Sequence, residues 1–191
     1  MTKGRLEAFS DGVLAVIITI MVLELAAPHE ASLQALAALT PLLLSYVLSF
    51  VFIGIYWVNH HHLYQVVQHV DGRSLWANLH LLFWLSLVPF ATAWMGDTHF
   101  AAMPVALYGV VLFMAGVAYL IMTRALLAVH APDSPLALAL GRDFKGKISI
   151  VIYAVALAVA FVMPALACAG YAAVAAMWLV PDRRMERTLH K

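Results

Sequence analysis

The sequence predicts an all-α integral membrane protein with six transmembrane helices in one domain, and three observations predict it. Of 191 residues, 64% are hydrophobic and only 11% are Asp, Glu, Lys or Arg, with a mean hydropathy of +0.92. Soluble domains carry about 45–50% apolar and about 25% charged residues, and a water-soluble globule of this size still exposes about a third of its unfolded surface. So much apolar surface needs lipid. The second observation is a series of apolar runs near the about 20 residues that cross a bilayer. The third is the one-sided placement of the basic residues.

The spans are read in order as 9–26, 42–64, 75–94, 103–127, 144–163 and 165–180. The first carries Ser10, Asp11, Thr19 and Glu24, so it should face protein or water rather than lipid all round. It is not read as a cleaved signal, because Asp11, Glu24 and Pro28 interrupt it and no small-residue cleavage motif follows. The second, third and fourth are apolar enough to span by themselves. The last stretch, Ile148 to Val180, exceeds one upright crossing, and Pro164 and Gly170 interrupt it. Two short helices or one kinked helix would both fit.

Charge decides the count. With six spans, all eleven Lys and Arg residues, from Lys3 to Lys191, fall on one side. The opposite loops hold Glu30 and Asp97 and no base, in keeping with the positive-inside rule. Five spans would strand Arg183, Arg184, Arg187 and Lys191 outside. Both termini are therefore expected in the cytosol, in a multi-pass protein of the cell membrane with lipid as its surroundings. The formal net charge is +1 with no block of like charge, so no nucleic-acid partner is expected. The single cysteine, Cys168, excludes an internal disulfide and reads as packing. Loops this short leave no room for a catalytic domain outside the membrane, which favours passage over catalysis.

The residues able to carry chemistry gather at helix ends. Arg5-x-x-x-Phe9-Ser10-Asp11 opens the first span. Arg5 and Asp11 are six residues apart, about 240° around a helix, and cannot pair along it. Ser10 or Asp11 could serve as an N-cap; alternatively Asp11 needs a partner from Trp57, His61, Gln65 and Gln68 on the second span or Asn78 and His80 on the third. His60, His61 and His62 are adjacent and point about 100° apart, which does not suit one metal ion. No metal or other cofactor is expected. Val16, Ile20 and Leu23 form an apolar stripe at helical spacing, and so do Leu14, Ile17 and Met21. Spacing alone does not choose between them.

Arg5-x-x-x-Phe9-Ser10-Asp11-Gly12, running into Val16-Ile17-Ile18-Thr19 and Val22-Leu23-Glu24-Leu25, resembles the first helix of the transmembrane protein 175 potassium channels. Trp57-Val58-Asn59-His60-His61, Leu75-Trp76-Ala77-Asn78-Leu79 and Leu87-Val88-Pro89-Phe90 resemble the corresponding stretches of the prokaryotic members. Animal members hold two such six-helix repeats and this chain holds one, so the resemblance implies a homotetramer. It also implies a potassium-permeable, potassium-over-sodium selective channel whose permeant ion is K+. The first helices would line a central pore, narrowed by Val16, Ile20 and Leu23 as a hydrophobic gate, with Thr19 as the selectivity hydroxyl. Val16 is one methylene smaller than the Ile or Leu usual at that layer. The resemblance further implies that Arg5, Phe9, Ser10 and Asp11 are held in a polar network with Asn78 and one of His60 or His61. Glu24 reads either as an outer-mouth carboxylate or as a solvated interface residue.

Two other classes compete. A proton-coupled transporter of a small cation would want an ionisable residue at mid-membrane, yet every Asp and Glu lies within about two helical turns of a span end. An enzyme would need a nucleophile and base converging in the bilayer, and Ser45, Ser49 and Ser86 carry no such signature. No enzymatic activity is expected.

Overall fold

In the computed structural model, residues 2–141 and 143–179 are described, and no strand occurs among them. Arg142, Val180 and the basic tail with Arg183, Arg184, Arg187 and Lys191 lie outside the described residues.

Helix α1 runs Lys3–Leu23, six residues earlier than expected, because nothing before Pro28 breaks it and Thr2 takes the N-cap position. That displaces the N-cap reading of Ser10 and Asp11. Ser10 sits two turns inside the helix and returns its proton to the Leu6 carbonyl at 2.9 Å. A short α2, Leu33–Ala38, is capped by Ser32 and buries no side chain. Helix α3, Thr40–Val66, starts with Pro41 in its first turn, where the missing N–H costs nothing.

The third apolar run is longer than expected and broken. Helix α4, Gly72–Ser86, and α5, Val88–Asp97, meet at Leu87. Pro89 lacks the N–H that the Leu85 carbonyl would accept, so the ladder is interrupted there. Thr92 steadies the break from the far side, with its hydroxyl 2.6 Å from the Val88 carbonyl and 2.7 Å from Ser49 Oγ on α3. Ser49 in turn lies 2.9 Å from the Tyr108 hydroxyl. The sequence reading did not use Pro89 as the signal of the break, and the chain of three hydroxyls has no sequence signal.

Helix α6, Ala102–Leu127, is the centre of the subunit, packing on α4, α5, α8 and α9. It allows this because Ala106, Gly109, Ala115 and Ala118 keep its surface low. At Gly109 the Tyr171 ring fills the space a side chain would need, and its hydroxyl donates to the Val105 carbonyl at 3.2 Å. A short α7, Pro135–Leu140, packs on α3. The last apolar stretch forms two helices, α8 (Phe144–Ala160) and α9 (Pro164–Leu179), turning at 161–163 with Pro164 opening the second. Asp143 caps α8 from a left-handed backbone (φ 38°), a conformation Asp tolerates better than most side chains.

Among the described residues, four segments are long and apolar enough to cross a membrane: Lys3–Leu23, Thr40–Val66, Gly72–Asp97 (α4 and α5 together) and Ala102–Leu127. Helices α8 and α9, at 17 and 16 residues, fall below the about 20 of a full upright span.

Candidate functional site on the first helix

Helix α1 packs on α3, α4 and α5 and divides lengthwise. Leu6, Ser10, Leu14, Ile17 and Met21 recur every three or four residues and are buried in the subunit. The opposite face is open, with Phe9 50%, Val16 55%, Ile20 41% and Leu23 80% exposed. The ambiguity between the two apolar stripes is thereby resolved within the subunit: Leu14, Ile17 and Met21 are core. Val16 and Ile20 also border a groove of about 710 Å³ between α1 and α5, walled across from them by Pro89 and Phe90. Thr19 is exposed on the same side, with its hydroxyl donating to the Val16 carbonyl at 2.9 Å. Glu24 ends the helix as its exposed C-cap residue.

The inward face is fixed by a buried polar chain whose donor order follows from its first bond. Ser10 gives its proton to the Leu6 carbonyl, so its oxygen accepts from Asn78 Nδ2 at 2.9 Å. Asn78 Oδ1 then accepts from His60 Nε2 at 2.9 Å, which places the ring proton on Nε2. His60 and Asn78 are each 2% exposed and Ser10 0%, so the chain ties α1, α3 and α4 together away from water. Between the two histidines, the chain takes His60.

Asp11 lies outside this chain. It is exposed, and Trp57 Nε1 donates to its Oδ1 at 3.1 Å. His61 stacks on Trp57 with ring centroids 6.1 Å apart and bonds Gln65 at 2.8 Å. Arg5 and Phe9 are both exposed, and neither belongs to the buried chain. Among the described residues no group of three or more His, Cys, Asp and Glu side chains is placed to hold a metal ion.

One further anchor escaped the sequence reading. His130, just past α6, receives the backbone N–H groups of Gln68 (3.0 Å) and His69 (3.4 Å) on Nε2. Its Nδ1 therefore carries the proton and donates to the Leu126 carbonyl at 2.7 Å. A single histidine between two loops has no sequence pattern to reveal it.

Comparison with known proteins places this arrangement. The family model described as endosomal/lysosomal potassium channel TMEM175 matches residues 5–89, which cover α1 from Arg5 onward, α2, α3, α4 and the start of α5. A protein of Chryseobacterium sp. (strain P1-3), named a potassium channel, is 52% identical over 99% of this chain and 98% of its own length. This chain belongs to the TMEM175 family. A crystal structure of a lysosomal potassium-selective channel TMEM175 homolog from Chamaesiphon minutus superposes on the TMEM175 chain with a TM-score of 0.79, at 27% identity, covering 93% of this chain and 96% of that one. The endosomal/lysosomal proton channel TMEM175 of Danio rerio is 28% identical over 70% of this chain, which amounts to 26% of its own length. The family is one of multi-pass membrane channels, and the outer face of α1 is one of several apolar surfaces the subunit leaves uncovered, with Val47 on α3, Phe83 on α4 and Val151 and Val155 on α8 exposed as well.

Proposed function

We propose that this TMEM175-family chain forms a potassium-permeable, potassium-over-sodium selective channel as a homotetramer in the cell membrane, with six spans per subunit and both termini cytosolic. Four copies of α1 line the axis, and Val16, Ile20 and Leu23 make a stacked apolar constriction. The observation that carries the reading is the exposure of that stripe beside a fully buried Leu14, Ile17 and Met21. A helix already packed on three neighbours presents its one uncovered face to whatever lies outside the subunit, and four such faces meeting at an axis enclose a passage.

The chemistry follows from what the face offers. An ion cannot shed water among methyl groups that replace none of its ligands, so the apolar rings hold the passage shut until the helices part. Thr19 supplies the nearby hydroxyl for discrimination, and Glu24 raises the cation concentration at the outer mouth. The buried chain Ser10–Asn78–His60 holds the cytosolic half of α1 in register, with Asp11 and Trp57 adding a bond at its edge. Permeant ions pass without any resident cofactor, and no bond is made or broken.

Purified protein in a planar bilayer tests this. Unitary currents that reverse near the potassium equilibrium potential in a KCl/NaCl gradient are expected. Flux without unitary currents, stoichiometrically tied to protons, would replace the channel with a coupled transporter. The naming of the Danio rerio relative as a proton channel makes protons the second permeant ion to examine, by the shift of reversal potential in a pH gradient.

A further inference from the structure

The first turns of α1 sort charge by face. At 100° per residue from Val16, Arg5 and Phe9 each fall about 20° from the constriction line and Gly12 about 40° from it. Glu7 falls about 180° away and Asp11 and Lys3 about 140° away. The surroundings agree with the wheel. Asp11 is bonded to Trp57, Lys3 Nζ reaches the Gln65 carbonyl at 3.5 Å, and half-buried Glu7 acts electrostatically on His60 and Tyr64 of α3. Arg5 is exposed, and its side chain makes no hydrogen bond or ion pair with another described residue.

We propose that Arg5 lines the cytosolic mouth of the pore, and that the resulting ring of four guanidinium groups makes the channel pass cations inward more readily than outward. This rests on the tetrameric pore proposed above. Both acids near the mouth are turned toward α3, so nothing on the constriction line offsets Arg5. The guanidinium is charged at every working pH. Four unit charges about 10 Å from a cation in water deplete it about fifteenfold without salt. With Debye screening the depletion is about fivefold in 20 mM salt and about twofold at 0.15 M, and it vanishes near 1 M. Depletion at the inner mouth starves outward current and leaves inward current, fed from the side of Glu24, untouched.

The test uses inside-out patches from cells expressing the full chain, in symmetric KCl. Wild type should carry about fivefold more current at −80 mV than at +80 mV in 20 mM KCl, falling to equality at 1 M. Arg5→Lys should keep the asymmetry, Arg5→Gln should abolish it and Arg5→Glu should reverse it. A wild-type asymmetry that ignores salt, or one that survives in Arg5→Gln, overturns the assignment; the salt series stands even if a variant fails to assemble. Absence of any potassium current in wild type would instead remove the channel reading itself.

Discussion

Asn78 on α4 donates from Nδ2 to Ser10 Oγ on α1 across 2.9 Å, because the Ser10 proton is already given to the Leu6 carbonyl. Asn78→Leu would leave the Nε2 proton of His60 without an acceptor in a site 2% exposed to water. An orphaned buried donor costs about 1–3 kcal/mol. Trp57→Phe removes only the bond to exposed Asp11 and should cost below about 1 kcal/mol. Thermal unfolding of the detergent-solubilised protein ranks the two. If Trp57→Phe proved the more damaging, α1 would be held by its edge and not by its buried face.

The gate is read from the same helix. Val16→Asn and Leu23→Asn would let water persist in the constriction, raising basal current and weakening preference for potassium over sodium. Leu14→Asn and Met21→Asn bury an amide where the side chains are 2% and 1% exposed, so they should reduce the yield of folded protein. Thr19→Val should shift selectivity more than conductance. Single-channel conductance and reversal potential of the five variants separate these outcomes; control of current by Leu14 and Met21 would put the passage on the wrong side of α1.

Topology is testable by cysteine labelling in a Cys168→Ser background. Thr2→Cys and Thr188→Cys should react only with reagent on the cytosolic side, and Thr98→Cys only from outside. Thr98 ends α5, in the turn where His99 and Phe100 both take positive φ, at 52° and 60°. External labelling at position 188 would exclude an even number of spans.

Asp71 provides a pH-dependent signal outside the spans. Its Oδ1 accepts from the backbone N–H of Ser74 at 2.8 Å and from the Ser74 hydroxyl at 2.7 Å, capping α4. These donors, the backbone one foremost, hold the carboxyl below the ordinary carboxylate range. A carboxyl lowered in the folded state stabilises fully above its unfolded pKa of about 4, and loses that contribution as pH falls through the folded value. Asp71→Asn keeps a good N-cap without a titrating group. The thermal stability of wild type should therefore fall more steeply than that of Asp71→Asn below about pH 4. Parallel curves would show that the cap contributes nothing to acid sensitivity.

Much of the architecture was written along the chain because hydropathy and charge are local properties. Twenty or so consecutive apolar residues are most readily accommodated in lipid, and Pro164 must kink or interrupt a helix wherever it stands inside one. The Arg5–Asp11 motif, the polar side of the second span and Asn78 were equally visible as residue types at given spacings. Their pairing was not. Asp11 had several candidate partners, and its choice of Trp57 while Ser10 took Asn78 and His60 depends on how α1 rotates between α3 and α4. The His130 clasp likewise arises from a contact between segments far apart in sequence, whereas the break at Leu87 has a local cause in Pro89.

The sequence by itself determined an all-helical membrane chain and the two apolar stripes of the first helix, because composition and a 3.6-residue period need no partner to be read. Only the tertiary structure decided which stripe is core. Helical spacing places Val16–Ile20–Leu23 and Leu14–Ile17–Met21 on equal terms. The buried chain from His60 through Asn78 to Ser10 breaks that symmetry, since satisfying three polar groups away from water permits one rotation of α1 and leaves Val16, Ile20 and Leu23 facing out.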